Sequence, residues 1–144
     1  TAVALRSHSL IVGAPGESSR GRVYRIQKSE GIWQQRAQMQ PSDGNISYFG
    51  VSVALSRTEP DLETLAVGAI GSYGPIAGTG SVAILERQGS DPFQRVQTLF
   101  PSDPHEGQWF GGAVALSGGR LLVGSADRAP TVSREHAGGI RMAV

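Results

Sequence analysis

The residues best placed for chemistry in this 144-residue chain are three acids at alternate positions, Glu59, Asp61 and Glu63. Carboxylates spaced in this way suit calcium, which collects roughly six to eight oxygen ligands. The surrounding segment, Ser56–Thr64, is long enough for a metal-binding loop, but it lacks the glycine of a sharp turn and is interrupted by Pro60. We therefore keep calcium at these acids as a minor alternative, expect a solvated acidic loop, and expect no cofactor.

Nothing in the residue types predicts a catalytic site. Cysteine is absent, which excludes disulfides, thiolate metal sites and cysteine nucleophiles. The histidines His8, His105 and His136 form no i,i+2 or i,i+4 pair of metal ligands. No serine lies in a Gly-x-Ser-x-Gly motif between a strand and a helix. We predict that the chain is not an enzyme.

The composition indicates many short strands and turns. The chain contains 20 Gly and 8 Pro, which are unfavourable inside helices and well suited to turns. The 13 Lys+Arg and 12 Asp+Glu residues leave a net charge of +1, which argues against a nucleic-acid partner. The apolar runs are too short for a transmembrane helix, so membrane insertion is not expected.

Several short motifs recur in the same order along the chain, and such repeats decide the fold class. The Val-Gly element recurs at offsets of 55 and 56 residues, and the Phe-Gly pair recurs at an offset of 61. We expect the residues of these motifs to be structural. They are Val12, Gly13, Ala14, Pro15, Phe49, Gly50, Val67, Gly68, Ala69, Phe110, Gly111, Val123 and Gly124.

Each repeat is predicted to hold four short strands separated by turns. The first repeat, residues 1–48, has them near Val3–Leu5, Leu10–Ala14, Arg22–Gln27 and Trp33–Gln40. The second repeat, residues 49–109, has them near Val51–Leu55, Leu65–Ala69, Ser81–Glu86 and Phe93–Phe100. The third, residues 110–144, has three, near Ala113–Leu116, Leu121–Ser125 and Gly139–Val144. The predicted fold is all-β.

The order Phe-Gly, Val-Ala-Leu, Leu-x-Val-Gly-Ala-Pro, Gly-x-Val-Tyr and Trp-x-Gln resembles the FG-GAP repeat of integrin α-subunit β-propellers, and most closely its bacterial-type form. The resemblance covers essentially the whole chain and implies radially packed β-propeller blades, each of four antiparallel strands. The eleven predicted strands make about 2.75 blades, an incomplete propeller. Two outer blade faces would then stay apolar, so we expect a partner. The partner would be further blades, another protein or a second copy of the chain.

Five residues are the candidates for ligand binding: Tyr48, Tyr73, Trp109, Arg128 and Arg134. Tyr48 and Trp109 each precede a Phe-Gly pair, and the other three lie in long connections between predicted second and third strands. The resemblance implies that these segments share a propeller face that commonly binds ligands. The alternatives are that the two aromatic residues cover Phe49 and Phe110, and that the long connections reflect tolerated variation.

Two further recurring features are expected to be structural. Asp43 and Asp103 each end a Pro-Ser-Asp tripeptide, where an aspartate side chain can fix a turn. Trp33 and Phe93 occupy equivalent positions at the start of the fourth strands and are expected to pack at the outer rim of their blades.

The resemblance implies a non-enzymatic module for protein or glycan binding or adhesion, or a structural element of a larger extracellular or cell-surface assembly. One alternative is a propeller that accompanies the catalytic domain of a larger enzyme. A second is lectin-like sugar binding between blades, for which aromatic side chains such as Trp109 would provide the stacking surface.

Overall fold

The computed structural model describes residues 1–71 and 76–126, together with two short strands at 136–137 and 140–143. These residues form no helix, and the predicted all-β fold of incomplete blades is confirmed. Three sheets contain four, four and two antiparallel strands. The strands are β1 (Ala2–Arg6), β2 (Ser9–Ala14), β3 (Arg22–Ser29), β4 (Ile32–Met39), β5 (Phe49–Glu59), β6 (Leu62–Ala69), β7 (Ser81–Gln88), β8 (Gln94–Leu99), β9 (Ala113–Ser117) and β10 (Arg120–Gly124).

The first two sheets are meanders in which each strand pairs with the next, in the orders β1-β2-β3-β4 and β5-β6-β7-β8. Their irregularities also repeat. The pairing of β3 with β4 shifts register between Arg25 and Ile26, and the pairing of β7 with β8 shifts between Ile84 and Leu85. These pairs occupy equivalent positions in the two repeats, so the two sheets share a bulge as well as a strand order.

The third sheet begins with the β9–β10 hairpin, in which Gly118 adopts the positive φ expected for this turn. Two further short strands, β11 (His136–Ala137) and β12 (Ile140–Ala143), form an antiparallel hairpin. Strand β12 lies beside β10, where a third strand is predicted, but runs parallel to it. This direction differs from the first two sheets because β11 and β12 reverse the chain between themselves before β12 meets β10.

The three sheets stack face to face, and we refer to them as the first, second and third blades. Ile11 and Val23 of the first blade pack with Val53, Leu65 and Val67 of the second. A second core contains Ala66, Val82 and Ile84 of the second blade together with Leu121 and Val123 of the third. Because β6 contributes alternate residues to the two cores, it is buried on both sides, as its continuous apolar run predicts.

The recurring glycines lie where one blade meets the next. A Cβ atom at Gly13 would overlap the carbonyl oxygen of Gly50, and a Cβ atom at Gly68 would overlap that of Gly111. The glycine of each Val-Gly element therefore faces the glycine of the following Phe-Gly pair, backbone against backbone. This close approach explains why the two motifs recur together, since any side chain at either position would push the blades apart.

The outer face of the first blade is open in this chain. Val3 and Leu5 on β1 are 60% and 65% exposed. Their equivalents on β5, Val53 and Leu55, pack against the first blade, and Val53 is only 8% exposed. The same side chains are thus core residues where a preceding blade is present and surface residues where none is.

The predicted loop Ser56–Thr64 is wrong in its extent. Strands β5 and β6 continue through it, with Ser56 opposite Thr64 and Arg57 opposite Glu63, and only a tight turn remains beyond Glu59. Pro60 lies at the tip of this turn, where its missing N–H breaks no ladder hydrogen bond. Among the described residues, the structure contains no apolar helix of membrane-spanning length.

Candidate ligand-binding face at the blade junctions

Each Phe-Gly pair forms the centre of a tight turn that opens the first strand of a blade. The N–H of Val51 donates to the carbonyl oxygen of Tyr48 at 3.2 Å, and that of Gly112 donates to Trp109 at 3.0 Å. Gly50 and Gly111, third in their turns, have φ values of 90° and 91°. A positive φ at this position is the requirement of a type II turn, so the glycine of the motif is needed for the turn as well as for the blade contact.

The residue before each pair is an exposed aromatic held in an unusual backbone conformation. Tyr48 has a φ of 58° and Trp109 a φ of 51°, both in the left-handed region that large side chains rarely adopt. The two residues are 54% and 52% exposed, whereas Phe49 and Phe110 beside them are buried. Even if Tyr48 and Trp109 cover the phenylalanines in part, both keep substantial exposed surface for another contact.

Tyr48 is fixed by the second blade. The N–H of Gly71 donates to the Ser47 carbonyl oxygen at 3.2 Å, and the Ser47 hydroxyl donates to the Gly71 carbonyl oxygen at 2.8 Å. A Cβ atom at Gly71 would lie 2.7 Å from Cδ2 of Tyr48. The tyrosine ring therefore packs closely on the Gly71 backbone, where a side chain would displace the ring or Ser47.

The backbone next to Trp109 is held by the third blade in an equivalent way. The N–H of Ala126 donates to the Gln108 carbonyl oxygen at 3.1 Å, and the Ser125 hydroxyl donates to the same oxygen at 2.7 Å. Gln108 is buried, and its side-chain oxygen accepts from the His105 N–H at 3.4 Å. Both junctions thus carry an aromatic ring on a backbone that is held on two sides, at the same edge of the stacked blades.

The remaining predicted ligand-binding residues, Tyr73, Arg128 and Arg134, lie outside the described residues. The structure therefore brings Tyr48 and Trp109 to one edge. That the other three residues share this edge stays a prediction.

The candidate calcium ligands diverge. Glu63 points between the first two blades, where its Oε2 accepts from Nε of Arg87 at 2.6 Å, and both side chains are largely buried. Glu59, the last residue of β5, and Asp61, in the turn that follows, are both exposed. Within the described parts of the chain, no group of three or more His, Asp or Glu residues is arranged to hold a metal ion.

Asp43 connects two blades at their outer edge. Its carboxylate accepts from Nη1 of Arg95 on β8 at 2.5 Å, across an ion pair that is open to solvent. The hydrogen bond from Arg95 lowers the pKa of Asp43 below its ordinary value. Asp43 lies in a turn, but the turn hydrogen bond runs from the N–H of Ile46 to the backbone carbonyl oxygen of Asp43 at 3.4 Å, while the side chain that was predicted to fix the turn binds Arg95.

The two rim aromatics are placed differently. Trp33 is substantially exposed on β4, with Nζ of Lys28 5.9 Å from its ring centroid. Phe93 is half-buried against the first core, with the Arg87 guanidinium 5.5 Å from its ring centroid. Packing at the rim therefore holds for Phe93 and only in part for Trp33.

A cluster of arginines at the opposite edge of the blades is absent from the sequence-based candidates. Arg6, Arg25, Arg57 and Arg87 line a cavity of about 200 Å³ between the first and second blades. Burial, and then the charge of Arg87, lower the pKa of Arg25 from its ordinary value. The repeat itself could have indicated this cluster, because Arg25 is a charged residue at the position where the second blade has the apolar Ile84.

Residues 93–137 match the family described as the FG-GAP repeat. This segment begins just before β8 and runs through the Phe110-Gly111 junction, β9 and β10 to β11. The chain therefore carries an FG-GAP repeat, as the motifs predict. No curated protein shows significant sequence similarity to the chain.

Proposed function

We propose that this chain, which carries the FG-GAP repeat, is a segment of a β-propeller that serves as a non-enzymatic platform for binding proteins or glycans in a surface or extracellular assembly. The main support for the proposal is that Tyr48 and Trp109 occupy the same position in two successive blade junctions. Both residues are about half exposed, both have a left-handed backbone conformation, and both lie at the same edge of the blades.

The backbone geometry of these two residues supports a role in recognition. A left-handed φ at a large non-glycine residue costs about 1–3 kcal/mol and persists only where the surroundings impose it. Here the Gly71 and Gln108 contacts impose it. A side chain whose backbone is fixed in advance loses less entropy on binding, and Tyr and Trp are among the residues that most often dominate binding energy at interfaces.

The family match supports the non-catalytic part of the proposal and the location. FG-GAP repeats are generally non-catalytic structural modules and typically occur in extracellular or surface proteins. A rigid stack of sheets with exposed junction residues at one edge is also a common arrangement for binding sites. The open outer face with Val3 and Leu5 supports a neighbour on that side, either a further blade or a second copy of the chain.

The test is a binding screen of the immobilised chain on a glycan array and on a panel of extracellular proteins. Tyr48→Ala and Trp109→Ala are compared with Trp33→Ala, which removes an exposed aromatic from β4, away from the junctions. We expect a ligand whose affinity falls at least about tenfold in either junction variant, as for an aromatic that dominates an interface, and is unchanged in the Trp33 variant.

Two results would contradict the proposed binding face. One is the absence of any ligand on both panels. The other is a ligand whose affinity is insensitive to Tyr48 and Trp109. Binding to glycans alone, with the same dependence on Trp109, would select the lectin-like form of the proposal.

A further inference from the structure

The cavity between the first and second blades is strongly cationic. It opens beside the β1–β2 turn, at the edge opposite Tyr48 and Trp109, and four arginines contribute to its lining. Its single carboxylate belongs to Glu63, which is held by Arg87 at 2.6 Å. One carboxylate thus faces four guanidinium groups, and it acts on Arg25 only from a distance, as a neighbouring charge, and not as an ion-pair partner.

The hydrogen bonds of Arg25 show how it is held. Its Nε donates to the Ser9 hydroxyl at 3.4 Å, and Nη2 donates to Oε1 of Gln27 at 3.1 Å. Both partners are neutral, and within the described residues no ion pair includes Arg6, Arg25 or Arg57. The Arg87 charge disfavours the half-buried Arg25 guanidinium more strongly than the Glu63 charge favours it, so a further anion beside Arg25 would be stabilising.

Blade packing does not require an arginine at this place. The equivalent residue in the second blade is Ile84, which is fully buried in the second core. At the equivalent edge of that junction, the Ser56 hydroxyl accepts from the N–H of Gly118 at 3.1 Å. Both junctions have an apolar core, but at this edge the second junction is closed by a hydrogen bond from backbone to a serine hydroxyl, whereas the first is lined with arginines.

We propose that this arginine-lined cavity binds a tetrahedral oxyanion, a phosphate or sulfate group, either as the free ion or as an ester on a small molecule. Guanidinium groups present paired N–H donors that match the oxygens of such anions, and charge-assisted hydrogen bonds of this kind are roughly twice as strong as neutral ones. Arg25 lies at the half-buried side of the cavity, while Arg6 and Arg57 are exposed at its mouth. The cavity is open, so an ester could leave its organic part in solvent.

The test is a titration of the full ¹⁵N-labelled chain with inorganic phosphate, sulfate and glucose 6-phosphate, each against chloride at matched ionic strength. We expect the Nε–Hε resonance of Arg25 to shift with saturation and calorimetry to give a matching Kd. Arg25→Gln should weaken binding about tenfold, the loss of one charge-assisted hydrogen bond. Tighter binding of the sugar phosphate than of the free ions would identify an ester as the preferred source.

Arg20→Gln is the matched control. It removes the same charge from the connection between β2 and β3, at the other edge of the blades, and should leave the Kd unchanged. Arg57→Gln, at an exposed residue, provides a second cavity variant if Arg25→Gln does not fold. Binding that is absent for all three anions, or that weakens equally in the Arg20 variant, would overturn the proposal.

Discussion

At the scale of single residues, the glycine pairs between blades impose the tightest constraint in the molecule. Gly13 faces Gly50 and Gly68 faces Gly111, in each case with the carbonyl oxygen of the second glycine where a side chain would begin. The obstacle is backbone, which cannot move aside as a flexible side chain can. Spacing between blades is therefore set by the absence of two side chains, while Ile11, Val67 and their neighbours fill the space around that contact.

We expect Gly68→Ala to lower the free energy of unfolding by about 3 kcal/mol or more, as overpacking against immobile backbone does in the most damaging substitutions. Gly68 does not have a positive φ, so the loss would report the blade contact rather than the backbone conformation. The control is Gly16→Ala, because a Cβ atom at Gly16 would meet nothing within 4 Å. Urea denaturation measures both. A Gly68 variant as stable as the Gly16 variant would contradict this account of the motif.

At the scale of strands and sheets, the repeat made the fold predictable from the sequence. Apolar alternation, glycines and turn residues recur together, so β1 to β10 lie within a few residues of the predicted strands. The sequence pattern did not predict that β5 and β6 extend through Ser56–Thr64. The polar composition of that segment resembles a loop, and only pairing across the hairpin and the burial of Glu63 make it strand.

The ion pair that ties β6 to β7 should matter far more than the one that ties Asp43 to β8. Glu63 and Arg87 are direct partners in the strand register, and both are largely buried. We expect Glu63→Ala to cost about 3 kcal/mol of unfolding free energy, because it leaves the largely buried Arg87 charge without its counterion. Asp43→Asn, which breaks a solvent-exposed pair, should cost less than about 1 kcal/mol.

Chemical denaturation of the two variants under identical conditions provides the measurement. Addition of Arg87→Met to Glu63→Ala should recover much of the loss, since the unpaired charge is then removed as well. Equal effects of the Glu63 and Asp43 variants, or no recovery in the double variant, would show that the buried pair is not the link between these strands.

At the scale of the whole molecule, the two candidate binding regions differ in how far sequence could locate them. Tyr48 and Trp109 were found because each precedes a repeated motif, and the repeat places both at the same edge. The arginine-lined cavity was not found, because Arg6, Arg25, Arg57 and Arg87 come from different strands and meet only when two blades stack. A pattern within one repeat does not show which side chains face each other across a junction.

The outer face of the first blade leads to the last prediction, self-association of the chain. Val3 and Leu5 are exposed, yet their equivalents Val53 and Leu55 are held in a core by a preceding blade. We expect light scattering to show a mass that rises with concentration, because exposed apolar blade faces favour association. The double substitution Val3→Thr with Leu5→Gln should reduce that association and change the unfolding free energy by no more than about 0.5 kcal/mol, as for other surface changes.

The same double substitution at the covered positions, Val53→Thr with Leu55→Gln, separates the two effects of an apolar side chain. It places polar groups in the core between the first two blades and should cost about 3 kcal/mol or more. A chain that stays monomeric at every concentration would argue that the open face needs no neighbour. Association that persists unchanged in the Val3 and Leu5 variant would place the contact elsewhere. Loss of association without loss of stability would identify this face as the place where a further blade or a second copy docks.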